Sequence, residues 1–117
     1  MDFQNYALGN WISGDGDGTP LHNAITGKEL GRASSSGLDF NDMMEFARKK
    51  GGTALRKLTF QERGLMLKSL ALHLHSVKDK FYDLSHATGA TKIDSWIDIE
   101  GGIGNLFANS SLRRQFP

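Results

Sequence analysis

Hydrophobic positions follow two different rhythms along the chain, and the change falls near Ser34-Ser35-Ser36-Gly37. Before it come short runs, Tyr6-Ala7-Leu8 and Trp11-Ile12-Ser13, then Gly14-Asp15-Gly16-Asp17-Gly18, a turn of residues that tolerate positive φ. Leu21 to Ile25 and Glu29 to Ala33 flank Thr26-Gly27-Lys28, which predicts a tight hairpin. Strands this short and half-polar are marginal in water as a lone hairpin, so they need other elements to lean on.

Beyond Ser36 the period lengthens to that of a helix. Asp39 is a predicted N-cap, and Phe40, Met43, Met44 and Ala47 recur at i, i+3, i+4 and i+7, with Gly51-Gly52 expected to stop the helix. Thr59-Phe60-Gln61-Glu62 is a capping box opening a second helix, with Leu67, Leu70, Ala71, Leu74 and Val77 as its expected buried face. Phe81 and Leu84 continue that period towards Gly89, a suitable C′ residue. Period alone does not separate one helix to Ala87 from two joined between Ser76 and Asp79. A third helix is predicted from Thr91 to about Leu112, with Trp96, Ile99, Ile103 and Leu106 on one stripe. The expected fold class is α+β: short antiparallel strands or hairpins (1–36) followed by three or four helices (37–117), together one domain.

Composition narrows the function. The 117 residues carry 14 Lys and Arg against 13 Asp and Glu, a net charge of +1, too balanced for the basic stripe that phosphate-backbone binding requires. Nucleic acid is therefore not an expected partner. No apolar run reaches the length of a membrane span, and the start has no basic segment leading into an apolar one, so neither a membrane nor a secretory route is expected and the chain reads as cytoplasmic. The absence of cysteine excludes, within these residues, a disulfide framework, a cysteine zinc site and a thiol nucleophile.

Candidate chemistry is sparse. Gly101-Gly102-Ile103-Gly104 invites a phosphate-loop reading, but counted from Gly102 the third glycine of a dinucleotide fingerprint falls on Phe107. Three glycines inside a helix cost roughly 0.8–1.0 kcal/mol each against alanine, so they require a reason. Close packing of another backbone is the first reading, and a smooth face of Ile97, Gly101, Gly104 and Ala108 lining a channel for an elongated substrate is the second. Asp15 and Asp17 start a calcium-like pattern that Thr19-Pro20 breaks. His73 and His75 point to different helix faces, and His22 and His86 stand alone, so no metal site is expected. Asp94 and Asp98 share a face without an obvious basic partner, which suits a solvated or partner-facing edge. No G-x-S-x-G elbow is present.

Several runs resemble one family. Gly9-Asn10-Trp11, followed by Asn23-Ala24-Ile25-Thr26-Gly27-Lys28-Glu29-Leu30-Gly31, is similar to the amino-terminal "G-x-W … N-P-A-T-G-E" strands of aldehyde dehydrogenases, without the usual proline. Glu62-Arg63-Gly64-Leu65-Met66-Leu67-Lys68 resembles that family's "E-R-x-x-x-L" helix, and Ala87-Thr88-Gly89-Ala90 the helix end that follows it. The run from Gly89 to Phe107, with Asp94-Ser95-Trp96-Ile97-Asp98-Ile99-Glu100-Gly101-Gly102-Ile103-Gly104, resembles the aldehyde-dehydrogenase half of the bifunctional ring-opening (oxepin-CoA hydrolase and semialdehyde dehydrogenase) proteins of bacterial phenylacetate degradation.

The resemblance implies NAD or NADP as cofactor of the full-length parent and oxidation of a CoA-linked semialdehyde. In that chemistry a cysteine attacks the carbonyl, an amide stabilises the oxyanion, hydride passes to the nicotinamide and a glutamate activates water. The family's cysteine, general base and dinucleotide loop come later in its chain. These residues therefore read as an amino-terminal segment, a single partial domain with no catalytic, cofactor-binding or metal residue, inactive alone. The third helix borders the family's aldehyde tunnel, which makes Ile97, Gly101, Gly104 and Asn105 substrate-channel candidates. Expected partners are the remainder of the dehydrogenase or a second copy in a homo-oligomer. The rival reading is a non-catalytic oligomerisation or protein-interaction module that uses the uncovered apolar stripes.

Overall fold

The computed structural model describes residues 3–116. The chain divides into two compact units, Met1–Ala54 and Leu55–Pro117. The expected α+β class is observed, as two small antiparallel hairpins and a set of helices.

In the first unit, β1 (Asn5–Ala7) pairs with β2 (Asn10–Ile12), with Tyr6 opposite Trp11. Leu8 and Gly9 form the connection, both at positive φ (53° and 84°), as a two-residue turn matched to strand twist requires. The Tyr6 and Trp11 rings meet edge to face at 5.1 Å. β3 (Thr19–His22) pairs with β4 (Glu29–Ala33), with a register shift between Leu21 and His22. The third strand stops at His22, short of the expected Ile25. Asn23 takes over the chain there: its side-chain oxygen accepts from the Ile25 and Thr26 N–H groups (2.9 and 3.0 Å), and its carbonyl accepts from Gly27 (2.8 Å). A local Asx turn outcompetes one more ladder pair, and Ile25 is left exposed.

The serine joint is tied back to the glycine-rich turn. Ser34 Oγ donates to the Asp15 carbonyl (2.8 Å), the Asp15 N–H donates to the Ser36 carbonyl (2.9 Å), and Asn5 Nδ2 donates to the Ser34 carbonyl (2.7 Å). Helix α1 (Phe40–Phe46) starts as expected, with the Asp39 carboxylate accepting from the Asp42 N–H (3.0 Å). Gly51-Gly52 does not stop it. After Phe46 the backbone widens into a π-helical turn (Ala47–Gly52) and continues into α2 (Thr53–Arg56). Glycine weakens a helix by about 1 kcal/mol but, unlike proline, blocks nothing, so helix-compatible flanking residues carry the chain through.

In the second unit, α3 (Phe60–Ser76) and α4 (Asp79–Ala87) are separate helices, followed by α5 (Lys92–Ser111) and a 3-10 turn (Leu112–Arg114). Thr59 and Glu62 form the expected capping box. Helix α5 packs along α3, and α4 packs against α5. The pairing of α3 with α5 is antiparallel, because Gly64 near the start of α3 lies against Ser110 at the end of α5 and Arg113 in the 3-10 turn that follows. A Cβ at Gly64 would sit 2.9 Å from Arg113 Cβ and 3.1 Å from the Ser110 carbonyl oxygen. Phe60 and Phe116 meet edge to face at 5.4 Å, closing the same end of the unit.

Each expected helix face is found with one residue out of place. In α3 Leu67, Ala71, Leu74 and the C-cap Val77 are buried or half-buried as expected, with Gly64 and Lys68 beside them, whereas Leu70 is exposed. In α5 Ile99, Ile103 and Leu106 are buried or half-buried as expected, with Ser95 and Ser110 on the same side, whereas Trp96 is 58% exposed. Small residues, not the largest apolar ones, stand where helices meet: Ala71 and Ser95 are both fully buried. The helices approach closely there, and Trp96 is displaced to the open side.

Candidate functional site

In the second unit a groove of about 590 Å³ lies between the end of α4 and the outer face of α5. Its α4 wall is Ser85, Thr88 and Ala90, and its floor is Asp94, Ile97, Asp98, Gly101, Gly102 and Asn105. Two local devices set its shape. Gly89, at φ +89°, ends α4 and turns the chain, with its N–H donating to the His86 carbonyl at 3.0 Å. Two residues later Thr91 opens α5 by a reciprocal cap. Its Oγ1 accepts from the Asp94 N–H (3.2 Å), and Asp94 Oδ2 accepts from the Thr91 N–H (3.2 Å) and hydroxyl (2.6 Å). These bonds, the hydroxyl first and the N–H second, hold the Asp94 carboxyl below its usual pKa.

Of the four channel candidates, Ile97, Gly101 and Asn105 come together in this groove and Gly104 does not. At 3.6 residues per turn each step rotates by about 100°, so Asp94, Asp98, Gly101 and Asn105 fall within an arc of about 60°, and Gly104 lies about 90° from its centre, just beyond Ile97 at the groove's edge. The Asn105 carboxamide is oriented by its neighbour one turn on: Asn109 Nδ2 donates to Asn105 Oδ1 (2.8 Å) and to the Asn105 carbonyl (2.9 Å). Ser85, Thr88 and Ala90 were not singled out by sequence, because nothing in the period of α5 indicates what stands opposite it. In sequence Thr91 marks the start of the third helix, and the structure adds the reciprocal cap with Asp94.

The glycine run does not form a phosphate cradle. Gly101 to Gly104 lie inside α5, where the backbone N–H groups serve the helix ladder. Close packing, the first reading of these glycines, finds no neighbour among the described residues: nothing stands within 4 Å of a Cβ placed at Gly101, Gly102 or Gly104. Gly64 is the glycine at a tight helix contact. The other acid of this region, Glu100, faces away from the groove and pairs with Lys78, whose ammonium is held above its usual pKa by that hydrogen bond. His75 Nε2 lies 3.4 Å from the same ammonium. The described helices include none long and apolar enough to cross a membrane.

No family model matches the chain. Over 104 residues, 88% of its length, it is 40% identical to 3,4-dehydroadipyl-CoA semialdehyde dehydrogenase of Aromatoleum evansii. The chain belongs to the aldehyde dehydrogenase superfamily. It spans 20% of the length of this curated relative, so an aldehyde dehydrogenase of that length has four fifths of its residues outside the match. Within the chain, the groove beside α5 combines volume with a polar lining, and its residues offer no thiol and no dinucleotide loop.

Proposed function

We propose that these residues form part of an NAD- or NADP-dependent aldehyde dehydrogenase that oxidises a CoA-linked semialdehyde in the bacterial degradation of aromatic compounds. The observation that carries this reading is the 40% identity, across 88% of the chain, to a relative whose name specifies such a semialdehyde. The residues present do not fit a dinucleotide, so cofactor binding and the thiol step are assigned to the remainder of the longer enzyme. The contribution of this segment is to shape the substrate's path. Ile97 supplies an apolar wall, the side-chain-free surface of Gly101 leaves room for a bulky acyl chain, and Asn105 supplies an amide.

The test uses the longer enzyme and the 117-residue chain side by side. The longer enzyme reduces NAD or NADP with a CoA-linked semialdehyde, and the chain alone does not. In the longer enzyme Gly101→Leu raises KM for the CoA-linked substrate while sparing short aldehydes. Turnover by the isolated chain refutes the division of labour, and equal effects on both substrates, or none, refute the role of the glycine face.

A second arrangement is supported by exposure. Ile93 is 71% and Trp96 58% exposed, side by side on α5 with Tyr82 of α4. Apolar surface of this kind is covered in the reading above by the remainder of the dehydrogenase or by a second copy, giving a homo-oligomer. A purified chain that stays monomeric at all concentrations in light scattering excludes the homo-oligomer.

A further inference from the structure

We propose that the groove beside α5 receives the neutral, amide-bearing pantetheine arm of a CoA thioester and excludes its phosphates. The proposal rests on the CoA-linked substrate inferred above and assigns which part of that substrate this segment holds. Charge is the first ground. The charged groups among the groove's lining residues are two carboxylates, Asp94 and Asp98, on one face of the helix. Asp94 is kept ionised by its bonds to Thr91. Two fixed negative charges repel a diphosphate or a ribose phosphate, and the lining has no lysine or arginine to offset them.

Hydrogen-bonding capacity is the second ground. Asp98 offers carboxylate oxygens as acceptors towards the groove. Asn105 has its carbonyl oxygen occupied by Asn109, which turns its amide N–H groups into available donors. An acceptor and a donor therefore stand two helical turns apart, at about 10 Å along the axis. A chain carrying two secondary amides presents a matching N–H and C=O to both. Between them Gly101 and Gly102 leave the helix backbone bare, so an extended chain can lie against it. The exposed Ile97 side chain gives its geminal methyl groups an apolar wall.

The chain's lack of cysteine provides a clean test. Gly101→Cys, Gly102→Cys and, as a control outside the groove, Ile93→Cys each introduce one thiol. Each is reacted with pantethine, the disulfide of pantetheine, and with 2-hydroxyethyl disulfide. In both reactions the protein thiolate attacks the reagent disulfide, forms a mixed disulfide and releases one reagent thiol, without an external oxidant. The ratio of the two rates cancels differences in thiol reactivity. We expect that ratio to be about tenfold higher at 101 and 102 than at 93, from the raised local concentration of a bound arm. Asp98→Ala should reduce it to the control value, and added 3′,5′-ADP should not compete. Equal ratios at all three positions, or competition by 3′,5′-ADP, overturn the proposal. Neither outcome depends on turnover: a longer enzyme that oxidises CoA-linked semialdehydes while the ratios are equal refutes the groove assignment alone.

Discussion

Ser85 Oγ donates to Ser95 Oγ across 2.8 Å, and this bond joins α4 to α5 at a point where Ser95 is completely buried. Ser85 also stands in the groove wall, so the pair fixes the groove's width as well as the helix contact. Removing one partner of a buried hydrogen bond costs about 0.5–1.5 kcal/mol net, and overpacking a filled contact costs about 1–3 kcal/mol. Ser95→Ala should therefore lower the unfolding free energy modestly and Ser95→Leu more strongly, as read by urea denaturation. An unchanged midpoint in Ser95→Leu would mean that α4 does not seat on α5 as described.

Two glycines should respond in opposite directions to the same substitution. At Gly104 a methyl group meets no neighbour, so Gly104→Ala should stabilise the chain by roughly 0.8–1.0 kcal/mol through helix propensity. At Gly64 a methyl group would meet Arg113 Cβ at 2.9 Å and the Ser110 carbonyl at 3.1 Å, so Gly64→Ala should destabilise despite the same propensity gain. Thermal unfolding of the two variants decides it. Stabilisation at both positions would show that α3 and α5 are not in contact at that end.

The pH dependence should have an acidic limb set by two helix caps. Glu62 accepts from the Thr59 N–H (2.7 Å), and that backbone bond, then the Thr59 hydroxyl, lowers its pKa, as Thr91 lowers that of Asp94. A carboxylate with a depressed folded pKa contributes stability that is present above its unfolded pKa, about 4, and is lost as pH falls through the folded value. Stability should be flat above about pH 5 and decline below about pH 4, and Glu62→Gln with Asp94→Asn should flatten that decline. Lys78 runs the other way. Its pKa is raised by the hydrogen bond to Glu100, so its contribution is complete below about pH 10.4 and is lost as pH rises through the folded value. Lys78→Met should remove that alkaline limb, and an alkaline limb that persists unchanged would assign it to another group.

Helix starts and turns were legible because their causes are local. Thr59 and Glu62, three residues apart, satisfy each other's backbone groups, and the Asp39 carboxylate accepts from the Asp42 N–H, whatever lies beyond. Gly89 ends α4 for the same kind of reason. Where a local device was overlooked, as with Asn23, the predicted strand ran too long. The groove was only half legible: the α5 residues could be placed by helical period, but Ser85 and Thr88 could not, since nothing in that period says which element will lie opposite.

By itself the sequence determined the α+β order, the caps, the absence of a thiol and the kinship to aldehyde dehydrogenases. Only the tertiary structure decided which faces are covered. Period marks an apolar stripe, but burial depends on how near a partner helix comes, and close approach favours Ala71 and Ser95 over Leu70 and Trp96. It also separated two kinds of glycine that the sequence could not: Gly64, required by contact with Ser110 and Arg113, and Gly101, Gly102 and Gly104, where an added Cβ would meet none of the described residues and the helix surface is left open.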